Sequence, residues 1–130
     1  MRKVFQVFLV LFGATDIGIA FLHVAFGPRC IPGGVPVNAT MDSEDRFYAV
    51  FFAAYGAAIL WCVKDVEKKG AMVRFLALTF FVGGLARLVS LAAAGTPHPF
   101  FQVAASLELS IPIFIAVAQR RIARTPPKAA

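Results

Sequence analysis

The chain predicts an all-α fold: an integral membrane four-helix bundle, up-down-up-down, with both termini cytoplasmic. Composition is the first observation behind this. Of 130 residues, 59% are hydrophobic and 15% charged, the balance of a protein that is mostly lipid-facing helix. The second is the grouping of the apolar residues into four runs, Val4 to Phe26, Phe47 to Val63, Met72 to Ala94 and Phe100 to Ala118. Each is near the ~20 residues that cross a bilayer. Open sheet would leave backbone groups unpaired in lipid, so the runs are helices. The third is the placement of Lys and Arg, which sets the orientation.

The whole chain, 1–130, reads as one transmembrane domain with helices at 4–26, 43–63, 72–94 and 99–119. The first helix follows Arg2 and Lys3, a start that also resembles a cleaved signal peptide. Its apolar run continues through Phe21, Leu22, Val24 and Phe26 and contains Asp16 and His23. That favours a retained first span.

The second helix enters through an acidic turn, with Asp42 or Ser43 as N-cap and Glu44 and Asp45 in a first turn favoured by the helix dipole. Ala49, Ala53 and Ala57, with Gly56, give it a small-residue seam. The third carries Gly83, Arg87, Ser90 and Ala94 on one stripe, with Gly84 beside it, where a neighbouring backbone can approach closely. The fourth offers Ala104, Glu108 and Pro112, and Pro112 deprives one carbonyl near Glu108 of its helical donor.

Basic residues lie before the first helix, between the second and third (Lys64, Lys68, Lys69, Arg74) and after the fourth (Arg120, Arg121, Arg124, Lys128). The connection between helices three and four has none. Both termini are thus expected in the cytoplasm, with 120–130 a basic, disordered tail against anionic lipid. The net charge of +6 is explained by topology and membrane lipid, and no nucleic-acid partner is expected.

The first outer loop, 27–46, has three prolines and three glycines, giving rigid segments and tight turns. Ile31, Val35, Val37 and Met41 suggest a lid folded over the bundle. Asn38-Ala39-Thr40 also matches a glycosylation acceptor, a common tripeptide.

Function is argued from ionisable residues inside the spans. A charge at the centre of a spanning helix costs about 2.5–3.5 kcal/mol on insertion scales, so it faces protein, water or a partner. Counted from the outer helix ends at ~1.5 Å per residue, His23 and Arg46 lie about 5 Å deep, Arg87 about 12 Å, Glu108 about 13 Å and Asp16 about 15 Å. These form two tiers. The deep one contains Asp16, Arg87 and Glu108, with Ser90 one turn from Arg87. The shallow one contains His23 and Arg46, rimmed by Asn38, Asp42, Glu44 and His98.

A pair of Arg87 with Glu108 or with Asp16 would hold helices in register whether or not it also lines a site. No metal-ligand spacing gathers His23, His98, Cys30, Asp16 and Glu108, and no nucleotide, phosphate or nucleophile motif is present. No metal, cofactor or soluble-enzyme chemistry is expected, and catalytic residues are unknown.

The run Asn38-x-Thr40-x-Asp42-Ser43-Glu44-x-Arg46-Phe47, then Gly83-Gly84-x-x-Arg87-x-x-Ser90, then Glu108 and Pro112, resembles a family of small bacterial four-helix membrane proteins known as domain of unknown function 4345. The resemblance covers nearly the whole chain. It implies the fold and a bacterial inner-membrane address, and transfers no biochemical role. More loosely, the architecture is similar to DoxX-like four-helix membrane proteins, some of which hold amphiphiles between their helices, a likeness of fold alone.

Together these observations favour a non-enzymatic protein that binds a small amphiphile or lipid head group in a polar pocket open to the outer face. Arg46 and Arg87 would meet an anionic group, with Asp16 and Glu108 balancing them. The alternative is an intramembrane enzyme on a lipid-like substrate, with Glu108 as acid and His23 or Asp16 as base. A third reading is a transport or accessory subunit, for which four short helices require a homo-oligomer.

Overall fold

The computed structural model describes residues 2–124. Among them are four α-helices and no strand: α1 (Arg2–Phe26), α2 (Ala39–Val63), α3 (Gly70–Ala94) and α4 (Pro99–Arg124), with a 3-10 turn at Gly27–Cys30 after α1. All four α-helices are long and apolar enough to cross a membrane, which makes this a multi-pass membrane protein. Their exposed residues agree with a lipid environment: Phe21, Phe75 and Val89 each leave more than half of their surface uncovered, as hydrocarbon permits and water does not.

The helices extend the expected ranges, most of all at the start of α2 and the end of α4. Arg120 and Arg121 stand on α4, not in a tail beginning at 120. The remainder of that tail, 125–130, lies outside the described residues.

The described residues divide into two compact units, one from Lys3 to Lys64 and the other from Asp65 to Arg124 with Arg2. In the first, α1 buries Phe5, Leu9, Gly13, Asp16 and Ala20, a stripe at the three- and four-residue steps that return to one helix face. α2 buries Ala49, Gly56, Ile59 and Cys62. The two helices meet at glycines: a Cβ on Gly56 would fall 2.6 Å from the Gly13 carbonyl oxygen, and one on Gly13 would fall 2.8 Å from that of Gly56. Small residues are what allow such backbone approach where lipid supplies no hydrophobic drive between helices. The alanine seam expected on α2 therefore divides: Ala49 and Gly56 are buried, whereas Ala57 is exposed. A packed face follows steps of three and four together, and four-residue steps alone drift off it.

Each helix of this unit also closes the other's C-terminal end. The Gln6 amide donates to the Val63 carbonyl at 2.7 Å, and Arg46 Nη1 donates to the Val24 carbonyl at 2.5 Å. These are carbonyls that a helix terminus leaves without an intrahelical donor.

The entry to α2 differs from expectation. Asn38 is the N-cap, its side-chain oxygen accepting from the Met41 amide at 3.0 Å. The helix therefore begins four residues before Ser43, and Glu44 and Asp45 fall beyond the first turn. The loop is not a lid packed by its apolar residues either. Val35 is 75% exposed, and Val37 and Met41 are exposed too. Its start is instead tied down locally, by the Ile31 amide on the Pro28 carbonyl and the Gly34 amide on that of Ile31.

In the second unit α3 packs against α4. α3 buries Val73, Leu76, Ala77 and Gly84, and α4 buries Pro112, Ile115, Gln119 and Ile122. Pro112 sits inside α4 without ending it. Its ring has no N–H, so the Glu108 carbonyl one turn earlier lacks the usual helical donor.

Candidate functional site

The close approach of α3 and α4 is set at Gly84. A Cβ there would lie 3.0 Å from Leu109 Cδ2 and 3.1 Å from Glu108 Cβ, so glycine lets α4 settle onto this turn. Gly83, which the sequence places in the packed stripe, meets nothing within 4 Å of its Cβ position. The seam runs along the Gly84 edge because one residue rotates the side chain by about 100°.

Three residues after Gly84, Arg87 reaches α4. Its Nε donates to Glu108 Oε2 at 2.5 Å, resolving in favour of Glu108 the choice of carboxylate that the sequence leaves open. The guanidinium carbon also stands 5.3 Å from the Phe101 ring centroid, within cation–π range. The Arg87 side chain keeps 40% of its surface exposed, against 13% for Glu108. The carboxylate is thus the more enclosed member of the pair.

The exposed part of Arg87 borders a cleft of about 620 Å³. Its walls come from α3 (Ala86, Arg87, Leu88, Ser90, Leu91) and from the start of α4 with the residue before it (Pro97, Phe101, Gln102, Ala105, Ser106, Leu109). Glu108 is not a wall residue. The cleft therefore sees a cation whose carboxylate partner is set behind it, together with the Ser90 hydroxyl, which has no partner among the described residues, the polar side chains of Gln102 and Ser106, and an otherwise apolar lining. A volume of this size suits one small molecule.

The polar groups on the α4 side are partly committed. Gln102 Nε2 donates to the Pro97 carbonyl at 3.0 Å, and Ser106 Oγ donates to the Gln102 carbonyl at 3.0 Å. What they still offer is the second N–H of the Gln102 amide, its side-chain oxygen and the Ser106 lone pairs. The charged donor for an anion thus comes from α3 alone.

The remaining expected site residues are disposed differently. His23 Nδ1 bonds both carboxylate oxygens of Asp45, at 2.9 and 3.0 Å. Arg46 is engaged by Asp42, with Nε to Oδ2 at 2.8 Å and Nη2 to Oδ1 at 3.2 Å, as well as by the end of α1. Arg46 therefore serves as a brace for the first loop. Asp16 is 3% exposed, and its Oδ2 has no hydrogen-bond partner among the described residues. His98 is exposed and accepts from the Phe100 amide at 3.3 Å. Glu44 is exposed, and Asn38 is occupied as the α2 cap. Both cysteines, Cys30 and Cys62, are free thiols.

The match to known families follows the same elements. Residues 4–119 match the model of the family described as domain of unknown function (DUF4345). The chain belongs to that family. The match runs from the start of α1 to within the last turns of α4, taking in the cleft and the Arg87–Glu108 pair of this DUF4345 protein. Neither curated proteins nor solved structures give a match.

Phe101, Gln102 and Ser106 of this DUF4345 chain are absent from the expected site. A signal for two of them exists in the sequence: Gln102 and Ser106 are four apart, and Leu109 three further on, a face at helical spacing. That face is offset from the Ala104, Glu108, Pro112 stripe which the ionisable residue draws attention to. Phe101 carries no such signal, because one phenylalanine among 14 becomes distinctive only when Arg87 is placed over it.

Proposed function

We propose that this protein binds a small amphiphile in the α3–α4 cleft, with Arg87 facing the polar head and the leucines and Phe101 lining the path of the apolar part. The observation that carries this reading is the asymmetry of the ion pair: Arg87 borders the cleft, and Glu108 does not. A pair serving only to fix register would be as well served by two enclosed partners. The enzymatic alternative gains no support from the geometry, since Glu108 is the acceptor for Arg87 and His23 is held by Asp45.

The short connection beside the cleft, Gly95 to His98, has no Lys or Arg. By the positive-inside rule this end lies away from the cytoplasm, so the cleft opens toward the outer face and both termini are cytoplasmic. A bacterial inner-membrane setting belongs to this reading and would give the cleft access to amphiphiles from the periplasmic side.

Native mass spectrometry of protein released gently from nanodiscs tests the reading. A defined small mass should stay with the wild-type protein and be lost from Arg87→Ala that retains wild-type helicity and oligomeric state. Wild type and variant both emerging bare, or both retaining the same mass, would reject the cleft as the binding site.

A further inference from the structure

The cleft has enough chemical detail to define the head group it would take. We infer that its ligand is a single-chain amphiphile with a monoanionic carboxylate head, received by Arg87 and Ser90 on α3. This rests on the amphiphile-binding reading above and specifies its ligand.

Three observations lead to the carboxylate. The first is charge count. Arg87 is the one cationic residue among those lining the cleft and already shares its charge with Glu108, so the site takes at most a single negative charge and a phosphate dianion would be left further undercompensated. The second is the edge of the guanidinium that is available. Glu108 uses Nε, and among the described residues neither Nη group of Arg87 donates a hydrogen bond. The two Nη groups form the remaining donor edge, whose planar spacing matches the two oxygens of a carboxylate. The third is Ser90. It borders the same cleft three residues along α3, on the same helix face as Arg87. Its hydroxyl has no partner among the described residues, so it adds a neutral donor beside the cation.

The α4 wall contributes in the opposite sense. Because Ser106 Oγ and one N–H of Gln102 are spent on backbone carbonyls, that side presents mostly acceptors and a single neutral amide N–H, a poorer seat for an anion than the guanidinium. A carboxylate is therefore better matched on the α3 wall, while Leu88, Leu91, Phe101 and Leu109 accept the chain. A neutral alcohol head would satisfy the acceptors but leave the Arg87 fork unmatched.

The experiment is a displacement titration in phosphatidylcholine nanodiscs, with a dansyl-labelled undecanoic acid as reporter. Tetradecanoate, tetradecanol and tetradecyl phosphate serve as competitors, at a pH where the acid is ionised. Tetradecanoate should displace the reporter at least about tenfold more strongly than the alcohol or the phosphate, a difference of about 1.4 kcal/mol. Arg87→Lys keeps the charge and removes the planar fork, and it should erase most of this preference while leaving the alcohol unchanged. Ser90→Ala, at an exposed position with no packing to lose, should weaken tetradecanoate about threefold to tenfold.

Equal displacement by acid and alcohol would overturn the carboxylate assignment and leave amphiphile binding intact. Preference for the phosphate would overturn it equally. Arg87→Lys behaving as wild type would remove the fork from the argument and the inference with it. If no compound displaces the reporter, or the reporter does not bind saturably, the amphiphile-binding reading itself is wrong.

Discussion

Gly13 and Gly56 present their backbones to each other so closely that a Cβ on either would lie within 2.8 Å of the other's carbonyl oxygen. Asp16 is drawn into the same contact, its Cβ lying 3.1 Å from the Gly56 Cβ position. Burial of this acid is thus a consequence of helix packing at a glycine pair one turn away.

Replacing Gly56 by alanine should therefore separate α1 from α2. The obstructing atom is a backbone oxygen, which cannot rotate aside, so the cost belongs with overpacked cores at about 1–3 kcal/mol. Thermal unfolding in detergent should show a clear fall in midpoint for Gly56→Ala, and little change for Gly18→Ala, whose Cβ would meet nothing within 4 Å. Equal behaviour of the two variants would contradict the close crossing.

Gly27 should be even less replaceable. It follows the last residue of α1 with φ +62°, the left-handed conformation that ends many helices and costs other residues about 1–2 kcal/mol. A Cβ there would also stand 2.5 Å from Asp42 Oδ1 and 2.9 Å from Arg46 Nη2. Gly27→Ala should loosen the Arg46 brace, and hydrogen exchange should rise through residues 27–34 more than in the middle of α2.

The Arg87–Glu108 pair separates a structural role from a binding role. Glu108→Ala leaves a partly enclosed guanidinium without its acceptor and should destabilise the protein, by less than the 3–5 kcal/mol of fully buried pairs because Arg87 is 40% exposed. The exchanged variant, Arg87→Glu with Glu108→Arg, should recover much of that stability and still fail to bind an anionic amphiphile, since position 108 does not border the cleft. Recovery of binding in the exchanged variant would count against the cleft geometry.

At the other end of the α3–α4 pair, Gln119 is 1% exposed and accepts from Arg74 Nη1 at 3.0 Å. Its amide nitrogen lies against Gly70, where an added Cβ would collide with it. Gly70→Val should displace Gln119 and release Arg74, lowering the unfolding midpoint while leaving ligand affinity unchanged, because neither residue borders the cleft. A loss of affinity matching that of Ser90→Ala would show coupling between the two ends.

Much of the candidate site was legible because intramembrane charges are costly and conspicuous. Arg87 and Glu108 stand out in an apolar sequence, and Ser90 follows at helical spacing. Partner choice was not legible, since any of several carboxylates lies at a suitable depth. Arg46 illustrates the difference: its depth and charge resemble those of a ligand-binding residue, yet Asp42 and the open carbonyls of α1 occupy it. Asn38, read first as part of a modification tripeptide, is a helix cap, a role that depends on where the chain turns.

The sequence by itself determined that the chain is helical, how many membrane-length helices it has and where the costly charges lie, because lipid forces backbone groups to pair within a segment and penalises charge. Tertiary structure alone decided which edge of each helix is packed, that Glu108 and not another acid receives Arg87, and that Phe101, Gln102 and Ser106 border the same cleft as the cation. Such choices depend on helix rotations of about 100° per residue and on contacts between residues tens of positions apart, for which local spacing carries no unique instruction.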